Sequence, residues 1–114
     1  MNEQIKAYID NYPGEIIDLY SCSRQIVLSS APCEPEETMW AKIPSFYVGK
    51  NFVRLIPFQD HINIEARAII EHREELSGYK ISPKGMLQIF VNQKIPKEFL
   101  IRVFTETLSC LPEK

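Results

Sequence analysis

Glycine is scarce in this 114-residue chain, with only four, at positions 14, 49, 78 and 85. At that spacing neither a GxxxxGK phosphate loop nor a GxGxxG dinucleotide turn can be written. The three cysteines, Cys22, Cys33 and Cys110, lie far apart and form no CxxC. Neither a zinc knuckle nor a dithiol redox pair is therefore encoded locally. The two histidines, His61 and His72, form no HxH or HExxH, so zincin-type and cupin-like metal sites are excluded. No GxSxG elbow occurs, and no Ser or Cys sits in a recognisable activating context. Nothing promises an enzyme.

No apolar run approaches the ~18 residues that span a bilayer. The start, Met1 to Lys6, lacks the basic-then-apolar layout of a signal peptide. The expected location is cytoplasmic, with no membrane partner. Charge of neither sign dominates. Thirteen Lys and Arg stand against 15 Asp and Glu, for a formal net charge of −2. With no basic cluster either, a nucleic-acid partner is not expected.

What is present is the composition of a globular domain, 45% hydrophobic and 25% charged. The length fits a single domain over residues 1–114, large enough to bury a core without metal or disulfide support. Ile5, Tyr8, Ile9 and Tyr12 fall at i, i+3, i+4 and i+7, which predicts a helix with Asn2 as cap and Pro13-Gly14 as stop. A second helix is predicted from about Glu15 to Ser30, with Ile16, Leu19, Tyr20, Ile26 and Val27 buried and Cys22 as a core thiol. Pro32 ends it, and Cys33 beside it belongs to an exposed loop.

Strands are predicted over Glu36–Lys42, Ser45–Val48 beyond Pro44, Phe52–Ile56, His61–Glu65 and Met86–Val91. Gly49-Lys50-Asn51 and Gln59-Asp60 read as turns. A helix is predicted from about Ala66 to Ser77, with Gly78 as its stop. Tyr79 to Gly85 reads as a polar loop. Pro96 opens a final helix whose inner stripe is Leu100, Val103, Phe104, Leu108 and Leu111. The expected fold class is α+β: a mainly antiparallel sheet of four or five strands, with the N-terminal and C-terminal helices on one face.

Several strings, taken in order, carry a resemblance. They are Ile5-Lys6-Ala7-Tyr8-Ile9, the Ala31-Pro32 helix exit, Met39-Trp40 followed by Pro44-Ser45-Phe46, and Tyr79-Lys80 followed by Lys84-Gly85. Together they resemble the YdhG-like family of small bacterial proteins, grouped with the YjbR/CyaY and frataxin-like folds. The resemblance spans nearly the whole chain and implies a two-layer frataxin-like fold and an intracellular binding domain. It also implies iron as a ligand and an iron-chaperone role, with acidic side chains as ligands. Frataxin-like proteins carry an acidic ridge on the first helix; here helix one offers only Glu3 and Asp10, and helix two Glu15 and Asp18.

The densest acidic group is Glu34, Glu36 and Glu37, and oxygen-rich clusters suit hard cations. This is the candidate metal site, read against a plain solvated loop. Lys80 and Lys84 around Ser82-Pro83-Lys84-Gly85 offer an anion site, read against a loop shaped by its proline and glycine. His61 is expected at the surface or hydrogen-bonded, and His72, within Glu71-His72-Arg73-Glu74-Glu75, in solvent. Trp40, Phe46, Tyr47 and Phe52 are expected to pack in the core. Should one sheet face be uncovered, Trp40, Phe46, His61 and Tyr79, with Lys80 and Lys84, form the candidate cleft for a protein or small ligand. The expected assembly is a monomer or weak homodimer.

Overall fold

Asn2 caps the first helix by accepting hydrogen bonds at Oδ1 from the backbone N–H groups of Gln4 (2.7 Å) and Ile5 (3.3 Å). This is the side-chain cap the spacing predicts. The structure, a computed structural model, describes residues 2–109. Its helix α1 (Glu3–Ile9) buries Ile5 and Ile9. After Pro13, α2 (Gly14–Ser30) runs until Ala31, whose backbone is extended as a residue before proline must be.

The inner stripe of α2 is Ile16, Leu19, Tyr20, Ser23, Ile26, Val27 and Ser30. Cys22 is exposed, contrary to the core thiol expected from the sequence. Ser23 takes the inward position because it lies four residues after Leu19 and three before Ile26, on their face of the helix. Cys33 is exposed as expected. Cys110 and Leu111 lie outside the described residues.

The strands are β1 (Glu36–Trp40), β2 (Ile43–Val48), β3 (Asn51–Pro57), β4 (His61–Ala66), β5 (Lys80–Ile81) and β6 (Leu87–Phe90). They form one sheet in the order β1-β2-β3-β4-β6-β5, with every neighbouring pair antiparallel. The sixth strand is β5, two residues inside the stretch read as a polar loop.

The first hairpin differs from expectation. Ala41 and Lys42 both take positive φ, 50° and 66°, as a two-residue primed turn requires. Trp40 therefore pairs with Ile43, and Met39 with Pro44. Pro44 lies inside β2 rather than breaking it. Pairing of β2 with β3 begins only at Ser45, so the missing N–H of Pro44 leaves no ladder bond unmade.

The helix expected over residues 66–77 is shorter. α3 (Arg67–Glu71) ends at His72, which leaves the helical region at φ −117° and ψ 16°, and a 3₁₀ turn follows at Arg73–Glu75. Only Ala68 and Ile69 of α3 are buried. The charged run beyond offers no apolar face to hold a longer helix against the core.

α4 (Lys97–Leu108) buries Phe99, Leu100, Val103, Phe104, Thr107 and Leu108. It packs on α2, and both helices pack on β3 and β4. The register brings Phe46, Val53 and Ala66 together on the helix side, and likewise Leu55, Ile64 and Leu87. This is a two-layer α+β domain with its core between helices and sheet. Among the described residues, no helix is long and apolar enough to cross a membrane.

Two hydroxyls on α2 meet different fates in the core. Ser30 donates to the Ile26 carbonyl at 2.7 Å, while Ser23 Oγ is buried with no partner. A buried hydroxyl without a partner carries its full desolvation cost. Ser23→Ala is therefore expected to raise the urea-unfolding free energy by about 1 kcal/mol, and a loss of that size would show that the hydroxyl is satisfied.

Candidate functional site

Side chains alternate across a strand, so the residues between the core positions share the opposite face of the sheet. The register lines up Thr38, Ser45, Arg54 and Glu65 there, then Ile56, Asn63 and Gln88. Tyr47 sits opposite Phe52, and His61 opposite Phe90. The helices contact the sheet from the other side, and this face carries no second layer among the described residues.

Arg54 organises one half of the face. Its guanidinium carbon lies 3.8 Å from the Phe52 ring centroid and 4.1 Å from that of Trp40. Its nitrogens donate to Ser45 Oγ (3.2 Å) and Tyr47 Oη (3.0 Å) and meet Glu65 Oε1 at 3.3 Å. The arginine is 7% exposed, whereas Trp40 is 51% exposed. One indole face thus covers a buried cation while the rest of the ring meets solvent. A cation held over aromatic rings and bonded to a carboxylate is stabilised against its desolvation. Trp40 is in consequence fixed in position without being buried.

The other half is an aromatic stack. The His61 ring lies 4.5 Å from Phe58, nearly parallel to it, and 4.7 Å from Phe90. His61 Nδ1 is 2.8 Å from Asp60 Oδ1. Between the two halves, Asn63 Nδ2 points at Met86 Sδ and Asn63 Oδ1 has no partner.

The expected cleft of six residues is divided. Trp40, His61 and Lys80, which is paired with Gln88, share the open face. Phe46 is fully buried on the helix side, because it pairs with Glu37 and Val53 rather than standing in line with Trp40. Tyr79 turns away and donates its hydroxyl to the Lys94 carbonyl. Lys84 sits in a closed turn. There the N–H groups of Ser82, Gly85 and Met86 all bond within the turn, and Pro83 has none, so those donors are not free for an anion. Trp40 is not a core residue as expected. Arg54, Tyr47, Phe52, Phe58 and Phe90 join the face unforeseen. The available signal was Arg54 itself, a lone charge in the apolar run Phe52 to Ile56.

Glu34, Glu36 and Glu37 do not converge. Glu36 pairs with Tyr47 on the open face, and Glu37 with Phe46 on the helix side. Glu37 is held by Arg24 through two parallel bonds of 2.8 and 2.9 Å. The hydrogen bond to Glu37 holds the Arg24 guanidinium above its ordinary pKa. Glu34 lines a hollow of about 570 Å³ with Cys33 and the same ion pair.

A different group gathers where α3 meets α4. One ligand atom each from Glu71, His72 and Glu106 lie within 4.8 Å of one another. His72 Nε2 is 3.1 Å from both Glu106 oxygens, and Nδ1 is 2.9 Å from Glu75. Arg67 pairs with Glu71, and Arg102 with Glu75. His72, expected in solvent, instead joins the 3₁₀ turn to α4, and charges of both signs alternate through the network.

Hydrogen bonds to Glu106 and then Glu75 raise the His72 pKa above its ordinary 6.5. The protonated ring is therefore favoured by folding. Its stabilisation is complete below pH 6.5 and disappears as pH rises through the higher native value. The thermal midpoint is expected to fall across that interval, and His72→Gln to remove the dependence. An unchanged pH profile in the variant would contradict the assignment.

No family model, curated protein or solved structure matches this chain.

Proposed function

We propose that this chain is a non-enzymatic binding module that receives a protein partner on the open face of its sheet, with Trp40 as the anchor. One observation carries this reading. A tryptophan at the end of β1 is 51% exposed, yet it is pinned from beneath by a buried arginine.

Antiparallel sheets that face water on one side normally present polar residues there. Beside polar residues such as Thr38, Ser45, Asn63 and Gln88, this face also presents Trp40, Tyr47, Phe52, Phe58 and Phe90 around Arg54. Tryptophan, tyrosine and arginine are the residues that dominate binding energy at protein interfaces. Trp40 is ordered before a partner arrives, which lowers the entropy lost on docking. A broad sheet surface also suits a protein better than a small molecule, which needs a cleft enclosing most of its own surface.

The iron-binding reading implied by the frataxin-like resemblance has less support. Glu37 is already neutralised by Arg24, and Glu36 points to the other side of the sheet.

The test compares wild-type protein with Trp40→Ala as affinity baits, after circular dichroism has established that both are folded. A partner retained by the wild type should be lost by the variant, with affinity reduced at least tenfold, the ~2 kcal/mol or more of an interface hot spot. Equal retention by the two would refute the role given to this face. Because Trp40 is the only tryptophan, its emission also reports directly on docking.

A further inference from the structure

The cluster where α3 meets α4 joins one imidazole to carboxylates from two separate elements. Glu71 is the last residue of α3 and His72 its C-cap, while Glu106 belongs to α4. Two contacts fix these elements against each other at this point. The Ala68 N–H donates to Oγ1 of Thr107 at 3.0 Å, and Thr107 is 2% exposed. Arg67 Nη2 donates to the Glu106 carbonyl at 2.9 Å. The backbones that carry the cluster are thus set by contacts of their own, and side-chain rotation alone is left to bring donors together.

The donor spacing suits a single ion. His72 Nε2 is 3.1 Å from each oxygen of Glu106. Ligands at right angles around a cation, with bonds of about 2.1 Å, stand about 3 Å apart. The ligand atoms of Glu71, His72 and Glu106 all lie within 4.8 Å of one another, so a rotation of the exposed Glu71 carboxylate completes the set. The other ring nitrogen, Nδ1, is 2.9 Å from Glu75, whose carboxylate is held in turn by Arg102. A carboxylate on one imidazole nitrogen fixes the tautomer that leaves the other nitrogen's lone pair for a metal. Glu75 stands outside the ligand set and orients its nitrogen donor.

The chemistry of the donors selects the class of ion. Calcium and magnesium take oxygen ligands. An imidazole with two carboxylates suits a borderline divalent metal instead, and zinc accepts such sets with water in the remaining position. We propose that Glu71, His72 and Glu106 form a zinc site that clips the end of α3 to α4, with Glu75 positioning the His72 ring. Only Ala68 and Ile69 of α3 are buried, so a bond from its end to α4 secures an element that packing holds weakly. Arg67 keeps its bond to the Glu106 carbonyl when Glu71 turns from it to the ion. Zinc and the proton compete for Nε2, so the pH profile of the thermal midpoint belongs to the chain in chelator. The inference is independent of the sheet-face reading, because the clip lies between α3 and α4 and does not involve Trp40.

The test is calorimetric titration of zinc chloride into the whole chain, stripped with EDTA and dialysed, in a Cys22→Ser, Cys33→Ser, Cys110→Ser background that removes the thiols. A single zinc should bind per chain. The thermal midpoint should rise with zinc and fall back on adding EDTA. His72→Gln, Glu71→Gln and Glu106→Gln, each shown by circular dichroism to be folded, should weaken binding by about tenfold or more and abolish the midpoint shift. Glu75→Gln should weaken it by roughly 10–100-fold through the freed ring. Glu74→Gln removes the same charge from a neighbouring exposed carboxylate and should leave affinity unchanged. Absence of saturable binding would overturn the proposal. So would zinc binding that survives His72→Gln, or that weakens as much on Glu74→Gln as on Glu106→Gln, since either would mean diffuse attraction to acidic side chains.

Discussion

The buried guanidinium of Arg54 is the constraint on which the open side of this protein depends. Taking an arginine out of water costs several kcal/mol unless its donors and charge are met. Here they are met by Ser45 and Tyr47 from β2, Glu65 from β4, and two aromatic rings from β1 and β3. One side chain thus joins four strands across the face that no helix covers. The rings and the cation together shield this half of the sheet, a task given on the other side to α2 and α4.

The edge strand β1 is held by an arginine on each of its faces. On the helix side Arg24 of α2 grips Glu37. On the open side Arg54 lies beneath Trp40. Such anchoring matters because an edge strand has ladder bonds along one side only. It also explains why the acidic run Glu34, Glu36 and Glu37 does not converge on one point. Its most buried member is the structural partner of a helix.

Much of the architecture was legible in the sequence. Apolar positions spaced at 3.6 residues located α1, α2 and α4, and Asn2, Pro32 and Gly49 marked boundaries where the structure has them. The first hairpin was not legible. Alanine and lysine rarely take positive φ, so nothing marked Ala41-Lys42 as the turn, and the proline that followed looked like the break. Register decides which face each residue joins. Without that turn, Trp40 and Phe46 could not be assigned to opposite sides. Arg54 was visible as a misplaced charge in a strand, but its partners come from three other strands. His72 was read as solvated because its partner Glu106 is 34 residues away. The partners of Arg54 and the Glu106 partner of His72 are pairings between distant segments, which local periodicity does not encode.

A double-mutant cycle between Trp40→Ala and Arg54→Met, read by urea unfolding, tests the central claim most directly. If the indole and the guanidinium act as one unit on the uncovered face, their effects are coupled by roughly 1–2 kcal/mol, as expected of a desolvated cation–π contact. Additive effects would mean that Trp40 stands on the face without the support of Arg54. The account of a pre-formed anchor would then fail.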